Sequence, residues 1–135
     1  MKKPQTIGLC LFFFISACSD RNTPENVAGD FIHNYYQRAD QEAAFRLSDS
    51  LAAEKLKDEI ALVRGARRQG ELPSEMPEII FEKLTQKTDS ASKVFFNYRL
   101  TIKNTESSNP VRNVIIITEL IDGLWKVTNF DEYTE

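Results

Sequence analysis

Two hydrophobic periods follow one another along the chain. From residue 23 to residue 65, apolar residues recur three and four positions apart, which places them on one face of a helix. From residue 79 to residue 133, β-branched and aromatic residues dominate and turn residues interrupt them, which is typical of strands. The pattern therefore predicts helices followed by strands within a single domain.

About three helices are predicted in the first part. Thr23-Pro24-Glu25 supplies a capping hydroxyl, a proline at the first helical position and an acid in the first turn, so a helix should begin there and run to about Arg38. Asp40 caps a short second helix, and Ser50 opens a third that we expect to end at Gly65, with residues 64 to 78 as a loop or broken helix. The residues expected on or near the buried sides are Val27, Ala28, Phe31, Ile32, Tyr35 and Ala39, then Ala44, Phe45, Leu47 and Ser48, then Ala52, Leu56, Ile60 and Val63.

Four strands are predicted in the second part, at residues 79–88, 93–104, 111–120 and 124–133. The separators are Asp89-Ser90, residues 104 to 110 and Asp122-Gly123. Short turns between successive strands indicate an antiparallel meander, and the fold class is α+β, with the helices packed on a curved four-stranded sheet. The third strand is apolar on both faces at residues 114–117, which fits either a curled sheet or a homodimer formed through the sheet.

The N-terminal segment has the layout of an export signal. Lys2 and Lys3 precede Ile7 to Ala17, an uncharged run of 11 residues, whereas a membrane span needs about 20. The run ends in Ile15-Ser16-Ala17-Cys18, which resembles the lipobox of bacterial lipoproteins. The resemblance implies cleavage before Cys18 and lipid on its sulfur and amine. We therefore expect a cleaved signal at 1–17, a lipidated cysteine and tether at 18–22, and one domain at 23–135.

A lipid anchor would attach the protein to a membrane and determine its location in the cell. Two or more acyl chains on Cys18 would hold it stably in a bilayer. Ser19, rather than aspartate, follows Cys18, and by the sorting rule of enteric bacteria this favours the outer membrane over the inner membrane, with the domain facing the periplasm. Cys10 would leave with the signal, so the mature domain would have no disulfide and no cysteine metal ligand.

Charge argues against nucleic acid as a partner. The formal net charge of the 135 residues is -3, and losing Lys2 and Lys3 from 17 basic residues leaves 15 against 20 acidic ones, or -5. Nucleic-acid binding needs a basic footprint, which this balance does not supply.

The helical start and the last hairpin resemble a known family. The segment Thr23 to Ala28 with Phe31 and Tyr35, and the closing Asp122-Gly123-Leu124-Trp125-Lys126-Val127, are similar to nuclear transport factor 2-like proteins, which have a cystatin-like cone fold. The resemblance implies a cone-shaped pocket between the long helix and the curved sheet. It carries no function of its own, because enzymes and binding modules share this scaffold.

Candidate chemistry is sparse. His33 is the only histidine, which excludes a histidine metal cluster, and we expect neither a catalytic constellation nor a cofactor. Tyr35, Tyr98 and Trp125 are the candidate pocket residues. Arg64, Arg67 and Arg68 form the basic cluster, which suits either the end of a helix or contact with an anionic surface.

Three possibilities for the function remain. The first is a lipid-anchored, non-enzymatic envelope module that binds a protein partner or a small ligand on the periplasmic side, and the plainest is a passive dimeric accessory subunit. The alternative is an enzyme of dehydratase or isomerase type that uses Tyr35 with an inward carboxylate. A pocket where Tyr35 meets carboxylate oxygens would favour the enzyme, and a cone filled by Phe31, Phe96 and Trp125 would oppose it.

Overall fold

The computed structural model describes residues 21–69, 76–103 and 108–134. The predicted signal, Cys18 and the first tether residues lie outside this range, so the anchor stays a prediction. The helices are α1 (Pro24–Ile32), continued by a π-helical segment (His33–Gln37), then α2 (Gln41–Arg46) and α3 (Ser50–Gln69). The strands are β1 (Glu78–Ser90), β2 (Lys93–Lys103), β3 (Val111–Ile121) and β4 (Leu124–Tyr133). They form one antiparallel curved sheet in the order β1-β2-β3-β4 with the helices packed on one face, which confirms the predicted α+β class.

Side-chain caps begin the first two helices where the sequence predicts them. Thr23 Oγ1 accepts a hydrogen bond from the Asn26 amide at 3.1 Å, and Pro24 follows as the first helical residue. Asp40 Oδ1 accepts from the Ala43 amide at 2.9 Å. Each cap satisfies an amide that has no partner within its own helix, which fixes the helix start.

The predicted end of the third helix is wrong. α3 passes through Gly65 and continues to Gln69, so residues 64–69 are helical rather than loop, while residues 70–75 lie outside the described range. Glycine weakens a helix but does not end it unless the chain turns into the left-handed conformation. Arg67 and Arg68 stand in the last turn, where positive charge stabilises the helix dipole.

The predicted burial of Phe45 is also wrong. The sequence places it on or near the buried side of α2, but its side chain is 40% exposed. α2 has only six residues, and its neighbour Ala44 takes the fully buried position. Because consecutive helical residues point about 100° apart, the ring of Phe45 is directed away from the core.

Tight turns set the register of the sheet. Asp122 and Gly123 have φ values of 50° and 80° and join β3 to β4, as a two-residue hairpin requires. The turn between β1 and β2 falls at residues 91–92, two positions later than predicted, because β1 runs on to Ser90 after a register shift.

The free edge of β4 is covered by the N-terminal half of the chain. The Val127 amide donates to the Leu47 carbonyl and the Asp49 amide donates to the Val127 carbonyl, both at 2.9 Å. Nearer the hairpin, Asn22 donates to the Trp125 carbonyl at 3.2 Å and accepts from the Trp125 amide at 2.6 Å. These bonds protect the edge from pairing with another strand.

The core lies between the helices and one face of the sheet. In β2 the alternation is as predicted, with Val94, Phe96, Tyr98 and Leu100 buried on the core face. The opposite, outer face is also apolar in its middle, where Phe95 of β2 lies directly across from Ile117 of β3 and both are half-buried. Further along the same face of β3, Asn113 lies opposite Arg99; it is buried, and its Oδ1 has no hydrogen-bond partner among the described residues.

Candidate functional site

Aromatic side chains fill the interior of the cone. Phe31 from α1 and Phe96 from β2 have no solvent exposure, and Phe31 packs on Phe130 with ring centres 4.9 Å apart. Tyr98 is also buried and lies against Phe96 and Phe81, at 6.2 and 6.0 Å. Aromatic side chains of the described residues therefore occupy the centre of the cone.

The three predicted pocket residues do not come together. Tyr98 belongs to the core, and Trp125 is half-buried at the hairpin between β3 and β4. Tyr35 stands at the rim between the π-helical segment and α3, in an open depression of about 230 Å³ that neither Tyr98 nor Trp125 lines. Only Tyr35 of the three is therefore placed to meet a ligand.

Tyr35 does meet a carboxylate at this rim. Its hydroxyl lies 2.8 Å from both Oε1 and Oε2 of Glu59 on α3. Burial, then the hydrogen bond and charge of Glu59, raises the pKa of Tyr35 well above the usual range. Tyr35 therefore stays protonated and acts as a hydrogen-bond donor to Glu59 at neutral pH.

The other groups around this depression are engaged with one another. Lys55 Nζ donates to Asp131 Oδ1 at 2.7 Å, to the Phe130 carbonyl at 2.8 Å and to Asn129 Oδ1 at 2.9 Å. Burial, followed by the charge of Glu132, raises the pKa of Tyr36 as well. Lys55 therefore ties α3 to β4 at the side of the depression.

A second cavity, which we call the arginine cleft, lies at the other end of α3. It has a volume of about 300 Å³ and is bounded by Arg38, which follows the π-helical segment, by the start of α2, and by Arg64 and Arg67 on α3. Arg64 and Arg67 are three residues apart and so share a face of the helix. Ile60 and Val63 provide the apolar part of the lining.

Charge in the arginine cleft is only partly compensated. Arg64 Nη2 forms an ion pair with Glu42 Oε1 at 2.6 Å, and Asp40 already accepts the Ala43 amide as the cap of α2. Neither Arg38 nor Arg67 has an ion-pair partner within residues 21–69, 76–103 and 108–134. Guanidinium groups pair with carboxylate or phosphate through two parallel hydrogen bonds, so the cleft suits an anionic group.

The predicted basic cluster is thus divided. Arg64 and Arg67 line the cleft, Arg68 does not, and Arg38 joins it from 26 positions upstream of Arg64. Sequence reasoning missed Arg38 because no local pattern links it to α3. The one signal in the sequence was the capping residue Asp40, because α2 begins there, just after Arg38, and packs against α3.

The described residues offer neither a cluster of metal ligands nor a membrane-spanning helix. They contain no group of three or more histidine, cysteine, aspartate or glutamate side chains that could hold a metal ion. His33 is exposed and its Nδ1 lies 2.7 Å from Gln37 Oε1. No helix in these ranges is long and apolar enough to cross a bilayer.

Comparison with known proteins supports the fold. No protein-family model and no curated protein matches the chain. Among solved structures, it is similar to an NTF-2-like protein of unknown function from Shewanella oneidensis, with a TM-score of 0.55 and 14% identity over 80% of this chain and 93% of the other. It is also similar to a protein from Thiobacillus denitrificans described as a calcium/calmodulin-dependent protein kinase type II association domain, with a TM-score of 0.56 and 10% identity over 82% and 93%. The domain therefore has the NTF2-like fold, as the resemblance implied, and identities this low carry the fold alone.

Proposed function

We propose that the protein is a lipid-anchored component of the bacterial envelope whose NTF2-like domain binds an anionic group of a partner on the periplasmic side, without catalysing a reaction. The observation that carries the binding role is the arginine cleft, where Arg38 and Arg67 face a cavity of about 300 Å³ without ion-pair partners among the described residues. The filled cone supports the same proposal, because Phe31 and Phe96 occupy the space where an enclosed substrate would lie.

The anchor rests on the sequence Ile15-Ser16-Ala17-Cys18 and on the short export segment before it. Mass spectrometry of the mature N-terminus should find a lipidated Cys18, and fractionation should place the protein in the outer membrane. Cys18→Ala should accumulate as an unprocessed precursor or a mis-sorted protein. Normal maturation of that variant would refute the anchor.

Cross-linking of the anchored protein, followed by pull-down, tests the binding role. We expect the arginine cleft to hold a carboxylate or phosphate of the partner, so the double variant Arg38→Gln, Arg67→Gln should lose the partner that the wild type captures. Raising the salt concentration should weaken capture by the wild type, because exposed charge pairs are screened.

Arg68→Gln is the matched control. It removes the same charge from the same helical turn as Arg67 but does not line the cleft. Equal loss of the partner in Arg68→Gln would show that general basic charge, rather than the cleft, attracts it. Full capture by the double variant would refute the cleft as the binding site.

The contact between Tyr35 and Glu59 favours the alternative, an enzyme of dehydratase or isomerase type. The hydroxyl and the carboxylate meet at 2.8 Å beside an open depression, as a hydrogen-bond donor and a base would. Mass spectrometry of small molecules released from the denatured protein distinguishes the two. A carbonyl or hydroxy compound carried by the wild type and lost in Tyr35→Phe would favour the enzyme, whereas partner capture that survives Tyr35→Phe supports the binding module.

A further inference from the structure

The two turns at one end of the sheet differ in character. The turn between β1 and β2 is polar, with Asp89, Ser90 and Ser92 around it. The turn between β3 and β4 is flanked by Leu120, Ile121, Leu124 and Trp125, which we call the apolar tip. Leu120 is 42% exposed and Leu124 is 50% exposed, although nothing in a two-residue turn requires leucine at these positions.

The apolar tip presents hydrophobic side chains on both faces of the hairpin. Leu120 pairs with Trp125 on the core face, beyond the cover of the helices, and Ile121 pairs with Leu124 on the outer face. A second copy docked on the outer face would cover the second pair and leave Leu120 in water. A surface that covers all four side chains must therefore contact the end of the hairpin, and not only its outer face.

The first residues that the structure describes lie at the same place. Asn22 makes two hydrogen bonds to the backbone of Trp125, so this part of the chain lies beside the apolar tip. Cys18 precedes Asn22 by four residues, and a chain of that length reaches at most about 14 Å. If Cys18 carries lipid in a bilayer, the tip is held within that distance of the headgroups.

From these placements we infer that the apolar tip of Leu120, Ile121, Leu124 and Trp125 seats on the surface of the bilayer that holds the Cys18 lipid. This inference rests on the proposed anchor. The lipid tether keeps the tip at a high effective concentration near the membrane. A small apolar surface is then enough to hold the tip on the bilayer, although it would not bring an untethered protein there. Tryptophan and leucine suit the interface, where an amphipathic ring lies at headgroup level.

Charge around the apolar tip is mixed. Lys126 follows Trp125 and donates from Nζ to the Arg46 carbonyl at 2.9 Å, which places the end of α2 beside the tip. Arg21 precedes Asn22 at the same point. Asp122 in the turn and Glu119 before Leu120 offset these cations, so the seating rests on apolar contact with the interface rather than on attraction to anionic headgroups.

Seating at the tip also orients the domain. The arginine cleft includes Arg38, directly after Gln37, whose Nε2 donates to the Ile79 carbonyl at the start of β1. Ile102 is the strand partner of Ile79, and its distance along β2 from Lys93, at the hairpin end, is about 30 Å. Ile79 therefore lies toward the end of the sheet away from the tip, and α2 runs from the cleft to Arg46 beside the tip, so a seated domain turns the start of α2 away from the membrane.

Trp125 provides the test because it is the only tryptophan in the chain. The lipidated protein, purified from membranes, is reconstituted into vesicles of phosphatidylethanolamine and phosphatidylglycerol, with or without bromine on the acyl chains near the headgroup. We expect the brominated lipid to quench most of the Trp125 emission. Leu124→Asp should lose this quenching while remaining anchored, and its emission in unbrominated vesicles checks that the domain is folded.

Leu62→Asp is the matched control, since Leu62 on α3 is 73% exposed and lies outside the tip. It should be quenched as strongly as the wild type. An anchored wild type without quenching, or quenching that persists in Leu124→Asp, would overturn the inference while leaving the anchor intact. Absence of lipid on Cys18, seen by mass spectrometry beforehand, would instead refute the anchor and with it the seating.

Discussion

Thr23 fixes the start of α1 through a single hydroxyl. Its Oγ1 accepts the Asn26 amide at 3.1 Å, and α1, which carries four buried residues, begins there. Thr23→Ala should lower the free energy of unfolding by about 1 kcal/mol, the usual contribution of such a cap. Thr23→Ser keeps the hydroxyl and should remain near wild type. Urea denaturation of both variants checks this, and equal stability of Thr23→Ala and wild type would show that the cap contributes nothing.

Tyr98 should make the domain sensitive to alkali. Burial, then the negative charge of Glu25, raises its pKa from 10.0 to about 12. The folded state therefore holds the phenolic proton more tightly than the unfolded state does. The resulting stability is complete below pH 10 and is lost as pH rises from 10 toward 12, by up to about 1.4 kcal/mol per pH unit.

Denaturation curves of wild type and Tyr98→Phe across that window measure this contribution. Phenylalanine has no proton to lose, so the variant should lose stability less steeply between pH 10 and 12. Tyr133→Phe, at a tyrosine that is 40% exposed, should follow the wild-type slope. Parallel slopes for wild type and Tyr98→Phe would contradict the assignment to Tyr98.

Residues of the candidate sites were predicted only where they lie close to one another in the sequence. Arg64 and Arg67 fall one helical turn apart and were recognised as a cluster, whereas Arg38 reaches the same cleft only through the packing of α2 against α3. Tyr35 was recognised from the stripe of α1, but its partner Glu59 lies 24 residues away on another helix. Contacts of this kind depend on how elements pack, and hydrophobic period alone does not specify that.

At the scale of elements, the sequence predicted the types of the helices and strands and their order, and was less accurate about the residues at which they end. The meander of β1 to β4 followed from turn residues and alternation, and the turn at Asp122-Gly123 was placed correctly. α3 is the exception, because Gly65 was read as a stop. A glycine ends a helix when its backbone turns left-handed, and composition does not reveal backbone angle.

Gly65 and Gly123 therefore predict opposite responses to the same substitution. Gly65 lies within α3 and a Cβ there would meet nothing within 4 Å, so Gly65→Ala should raise the free energy of unfolding by up to about 1 kcal/mol. Gly123 has a φ of 80°, so Gly123→Ala should destabilise the hairpin even though space is open around it. Thermal denaturation of the pair compares them directly. Destabilisation by Gly65→Ala would indicate that this part of α3 is not helical in solution.

At the scale of the whole molecule, the outer face of the sheet is the largest feature that the core does not explain. Phe95 and Ile117 lie opposite each other in its middle, and Ile80, Val111 and Tyr133 are exposed on it or at its edges. Both explanations offered by the sequence, curvature and self-association, remain consistent with half-buried residues. The exposed apolar residues around this face favour association, because a second copy would remove Val111 and Ile80, which are 53% and 44% exposed, from water.

We therefore predict a reversible homodimer formed through this face. Sedimentation of the protein in detergent should show a mass that rises with concentration from monomer to dimer. Ile117→Lys should keep the protein monomeric, since it places a charge in the middle of the apolar face, opposite Phe95. Leu62→Lys adds the same charge to an exposed position on α3 and should dimerise like the wild type. A wild type that stays monomeric at every concentration would mean that curvature alone shields the face. Association through the outer face would leave the arginine cleft open, so Ile117→Lys should leave partner binding at the cleft unchanged.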